Sequence, residues 1–93
     1  MAILIWKHGK TQSDAISALQ AAAREAGQED AVTWSGSHFE AKAGPWGTIL
    51  DAEGEVTADA VVVEKCGGLA GGKALSEGKE LLARLFPGGE QPA

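Results

Sequence analysis

A single cysteine, Cys66, stands in a chain of 93 residues. That excludes an internal disulfide and, with only two histidines present, leaves no Cys/His spacing of a structural zinc site. So cysteine-poor a chain suits a reducing compartment, and a cytoplasmic location is expected. Positive charge is scarce too. Eight Lys and Arg are scattered among 13 Asp and Glu, for a formal net charge of −5. Nucleic acid is held through clustered cations that release counterions, and anionic membrane surfaces ask for the same, so neither partner is expected. No apolar run approaches the roughly 18 residues of a membrane-spanning helix. The chain's start is apolar only from Ala2 to Trp6 and lacks the basic residues and the ~7–15-residue apolar stretch of a secretory leader. Aromatics are few, and three of them are Trp against two Phe and no Tyr.

What is present is alanine, 13 glycines and an apolar fraction of 44%. Such a chain can bury roughly two-thirds of its unfolded surface and fold alone. One α+β domain is expected over residues 1–89, with residues 90–93 as a disordered tail. Its core should be small-grained, and homo-oligomerisation would be a ready source of further burial.

Ala2 to Lys7 reads as a strand, apolar enough to be covered on both faces. Ser13 to Ala26 reads as a helix with Ser13 as N-cap, Ile16, Leu19, Ala23 and Ala26 at helical spacing, and Gly27 as the left-handed stop. Ala31–Trp34 and Phe39–Ala43 read as a hairpin around Gly36. Trp46 to Val56 is the next extended stretch, in which Asp51-Ala52-Glu53-Gly54 is either a turn or a bulge. After a turn at Thr57–Asp59, Ala60 to Lys65 is strongly β-favouring. Lys73 to Phe86 reads as a second helix, stopped by Pro87-Gly88-Gly89. The element order is written β-α-β-β-β-α, an antiparallel sheet with both helices packed on it. Phe39, Val61, Leu81 and Leu85 are expected to share one core.

Several stretches suggest chemistry and fall short of it. Gly67-Gly68-Leu69-Ala70-Gly71-Gly72-Lys73-Ala74 has the spacing of a phosphate-binding loop between strand and helix. Ala74, however, stands where a magnesium-binding hydroxyl belongs, and the simpler reading is a flexible connection. His8 and His38 could exchange protons near neutral pH, but both fall in turn-like sequence and read as exposed. A Cys66–His pair would need a local signature that Cys66 lacks. Asp51, Glu53 and Glu55 alternate, which on a strand is a solvated face rather than a calcium loop. No catalytic residue, metal ligand or cofactor is therefore expected. The candidate binding residues are Trp6, Trp34 and Trp46, each near a strand end, where a large ring with one N–H suits a half-wet contact.

From Ile3 to Phe86 the pattern resembles the small bacterial proteins of the polyhydroxyalkanoic acid system. The likeness is carried by Trp34-Ser35-Gly36-Ser37-His38-Phe39, a Trp and Gly hairpin followed by Phe, and by Val56-Thr57-Ala58-Asp59-Ala60-Val61, an acidic turn between two strands. It departs at the glycine-rich Gly67–Gly72, where that family is bulkier and more apolar. The resemblance implies a non-enzymatic cytoplasmic accessory protein whose partner is a polyester granule or its proteins. The alternative is a small-molecule carrier with an apolar pocket between the sheet and the C-terminal helix. An enzyme built on a histidine and Cys66 ranks below both.

Overall fold

The structure, a computed structural model, describes residues 2–92; the last residue of the expected tail lies outside that range. In chain order the elements are β1 (Leu4–Lys7), α1 (Gln12–Glu25), β2 (Val32–Ser35), β3 (His38–Ala43), β4 (Leu50–Val56), β5 (Ala60–Gly67), α2 (Gly71–Leu85) and β6 (Glu90–Gln91). Short 3-10 turns at Glu29–Ala31 and Pro45–Gly47 precede β2 and β4. The strands form one antiparallel sheet in the order β2-β3-β4-β5-β1-β6. The fold is thus α+β in the expected order, with the extended region between the helices resolved into four strands and a short sixth strand after α2.

Strand alternation sorts the sheet into two unlike faces. Directly opposed pairs such as Trp6↔Val61, Val56↔Val61, Phe39↔Gly54 and Trp34↔Phe39 place one apolar set on a single face. Leu4, Trp6, Val56 and Val61 from that face form the core with Ala15 of α1 and Leu82 and Phe86 at α2, so both helices cover the same side. The other face carries Glu40, Glu53, Glu55 and their neighbours, and among the described residues no helix packs on it. Asp51–Gly54 is not a turn: β4 runs through it, and the register shift at Glu53/Gly54 leaves Glu64 of β5 as the extra, bulged residue. Gly54 is small because Phe39 lies over it; a Cβ there would come within 2.6 Å of Phe39 Cζ.

Three local expectations are corrected. Thr11, not Ser13, caps α1: its backbone is extended and its Oγ1 accepts the Asp14 N–H at 3.1 Å, which places Ser13 inside the first turn. Leu81 is not in the core. Leu82 is the buried leucine of α2, 4% exposed, while Phe39 and Leu85 pack at the margin of the core. A step of one residue turns a helix by about 100°, so Leu81 faces sideways. Finally, residues 90–91 are paired strand rather than free tail. Trp6 Nε1–H donates to Phe86 O at 2.7 Å and Lys7 N–H to Gly89 O at 2.7 Å, holding the segment after α2 against β1. Among the described residues no helix is long and apolar enough to cross a membrane.

Candidate functional site

The two helices share the apolar face without closing over all of it. Between α2, Leu19 in the middle of α1 and the apolar face of strands β1 to β5 lies a half-open cleft of about 280 Å³. Its origin is the distribution of side-chain size. Ala41 and Ala52, directly opposed on β3 and β4, floor the cleft, and Ala74 and Gly78 of α2 form the facing wall. Larger groups, among them Leu19, Trp34, Phe39, Leu75 and Leu81, stand around them. Among the described residues the lining consists of aliphatic and aromatic side chains, Gly78 and Cys66, with no charged, amide or hydroxyl side chain. Trp34 and Phe39 stack obliquely across the hairpin, ring centroids 5.3 Å apart. Space bounded in this way loses dispersion contacts on one side and is easily dewetted, since water finds no polar partners there.

The three tryptophans do not make a common surface. Trp6 is 5% exposed, and its indole N–H is committed to Phe86 O, so it is a core residue. Trp34 is half-buried and lines the cleft. Trp46 is 99% exposed on the turn before β4 and is held at φ 59°, an unusual conformation for a bulky residue.

His8 departs from its reading as an exposed turn residue. It is 4% exposed: Nδ1 accepts the Lys10 N–H at 3.1 Å, Nε2 lies 3.0 Å from Thr57 O, and the ring tilts against Phe86. Those two contacts make the ring a brace between turns. Cys66 donates to Gly71 O at 3.2 Å, and burial pushes its thiol pKa up, which disfavours the nucleophilic thiolate. Among the described residues no hydrogen bond joins Cys66 to either histidine.

The glycine-rich connection is pinned rather than flexible. Leu69 N–H and Ala70 N–H donate to Thr48 O and Ile49 O at 3.0 and 2.8 Å, and Gly71 N–H to Gly68 O at 3.1 Å. The amides of Leu69, Ala70 and Gly71 are thus already spent on the chain. Lys73 points along the helix surface towards Glu77, at 4.0 Å.

No protein family, curated protein or solved structure matches this chain. The sequence offered an apolar pocket between the sheet and the C-terminal helix only as an alternative, and of its lining it named Trp34 alone as a binding residue, because the cleft is made by small residues, which in a sequence read only as weak core formers. The signal was the coincidence of Ala41, Ala52, Ala74 and Gly78 at inward-facing positions.

Proposed function

We propose that the protein is a non-enzymatic binder of an apolar small molecule, which it holds in the cleft between the sheet and α2. The observation that carries this reading is the lining: apolar on every wall, shaped by small residues and bordered by an aromatic pair. An enclosed apolar space of about 150 Å³ accepts benzene, so 280 Å³ suits a ligand of about ten carbon atoms. Any polar end would project through the open side, because the lining offers it no partner. The accessory role beside polyester granules remains a second proposal. It is supported by the resemblance of the hairpin and by the exposed Trp46 and Leu69, apolar side chains available to a hydrophobic surface.

Gly78 provides the decisive test. It lines the cleft, and a Cβ added there meets nothing within 4 Å. Gly78→Leu should fill the cleft while raising helix propensity by up to about 1 kcal/mol. A neutral fluorescent probe, N-phenyl-1-naphthylamine, should bind the natural chain with saturation and perturb Trp34. Binding should fall at least tenfold in Gly78→Leu and persist in Trp46→Ser. Equal binding by Gly78→Leu would remove the cleft from consideration, and loss in Trp46→Ser alone would favour the surface reading.

A further inference from the structure

The uncovered face of the sheet carries a second group of side chains, independent of the cleft. His38 and Glu40 lie two residues apart on β3 and so project to the same side. Glu53 of β4 is directly opposite Glu40, and Glu55 is directly opposite His38. His38 Nε2 is 3.7 Å from Glu53 Oε2 and 3.9 Å from Glu40 Oε1. One donor atom from each of the three residues lies within 4.8 Å of the other two.

Two features set this group apart from an ordinary solvated strand face. First, like charges directly opposed across strands are unfavourable, yet Glu40 faces Glu53 with Glu55 close by. The neighbouring cation relieves them only in part: Lys65 is directly opposite Glu53 and feels the charges of Glu53 and Glu40, but its Nζ makes its ion pair with Asp51 Oδ2, at 2.8 Å. Lys42 likewise stands directly opposite Asp51. Among the described residues, the only group of potentially positive charge within 4 Å of the Glu40 and Glu53 carboxylates is the imidazole of His38. Second, the donors are mixed. An imidazole nitrogen beside two carboxylates is a ligand set for a first-row divalent ion rather than for calcium or magnesium, which favour oxygen alone.

We propose that His38, Glu40 and Glu53 form a binding site for a divalent transition-metal ion of the zinc class. His38 Nε2 and one oxygen from each carboxylate supply three ligands, and water completes the coordination shell. Metal–donor bonds of about 2.0–2.2 Å place donors about 3–3.5 Å apart, so the separations of 3.7 and 3.9 Å from His38 must shorten by less than about 1 Å, and a pair as far apart as 4.8 Å by about 1–2 Å. All three side chains are part-exposed and end in rotatable bonds, while strands β3 and β4 hold their bases in fixed register. The ion would neutralise the Glu40–Glu53 repulsion and so tie the middle of the sheet together. The site is open on its solvent side, which makes it an exchangeable site rather than a closed structural one.

The test is isothermal titration of zinc chloride into the whole, tag-free chain after chelator treatment, with nuclear magnetic resonance on the same samples. Saturable binding at one ion per chain is expected, with amide shifts confined to residues 38–40 and 53–55 and a higher unfolding temperature in the presence of zinc. His38→Ala and the near-isosteric Glu53→Gln should each weaken binding at least tenfold. Cys66→Ser should leave binding unchanged, and magnesium should give no comparable heat. Absence of saturable zinc binding would overturn the proposal. So would binding that survives both His38→Ala and Glu53→Gln, or binding that Cys66→Ser abolishes. Glu53→Gln preserves shape, so it gives an answer even if His38→Ala disturbs the fold.

Discussion

At the scale of single residues, buried polar groups act here as braces rather than as reagents. His8 joins the turn after β1 to Thr57 and packs its ring on Phe86. Replacing it by alanine leaves the Thr57 carbonyl and the Lys10 amide without their partners, and an unpaired buried group costs about 1–3 kcal/mol. His8→Ala should therefore lower stability by at least that amount, read as a shift of the urea midpoint with an unchanged slope. An effect below about 0.5 kcal/mol, usual for surface substitutions, would return His8 to the solvent. Trp6 belongs to the same category, since its N–H closes the Phe86 carbonyl. Of the three tryptophans only Trp34 and Trp46 are open to another molecule, each in a different way.

At the scale of elements, α2 has two working sides. Leu82 points into the core, 4% exposed, and Leu81 borders the cleft with Ala74 and Gly78. Truncating a fully buried leucine costs about 2–5 kcal/mol, and less where the site is already open. Leu82→Ala should fall in that range, while Leu81→Ala should cost clearly less and change probe binding instead. Equal losses in chemical denaturation would mean that the cleft is closed in solution. The β4–β5 pair shows a similar division of roles. Gly54 makes room for Phe39 on the inner face, and the bulge at Glu64 re-registers the strand beyond it.

At the scale of the whole molecule, the net charge of −5 makes the response to pH depend on how acids are paired. The hydrogen bond from Lys65 to Asp51, helped by the lysine's charge, holds the Asp51 carboxyl below its ordinary value of 3.8. The same contact raises Lys65 above 10.5. A depressed carboxylate contributes stability above its unfolded value and loses it as pH falls through the lower folded one. A raised lysine contributes below its unfolded value and loses that contribution as pH rises through the higher folded one. Asp51→Asn should thus be less stable than the natural chain at neutral pH, and the difference should vanish as the pH drops well below 3.8. Because the pair sits at the surface, solvent keeps the effect small, and added salt should shrink it further. Thermal unfolding across the acid range checks both points; a difference that persists in acid would place the effect in packing rather than charge.

The residue types alone determined the fold class and the limits on chemistry. Alternating Val, Trp and Phe in short runs, an alanine-rich helical stripe, and glycines at Gly27 and Gly36 encode sheet, helix and turn through local backbone preference. The lack of basic clusters and of zinc-type cysteine spacing likewise needs no structure to be seen. Only tertiary structure decided which side of each element faces what. Leu81 and Leu82 are neighbours of the same type, and helical spacing could not say which of them the core would take. His8 looks like a turn residue until Phe86 and Thr57, far along the chain, close around it. Residues 90–91 have no strand signature and pair only because Trp6 and Gly89 bring them beside β1. The cleft arises where Ala41, Ala52, Ala74 and Gly78 meet from three elements, and the His38–Glu40–Glu53 group exists only through the register of β3 against β4. Both depend on contacts between distant residues, and such contacts are set by the packing of the whole chain rather than by the preference of any one segment.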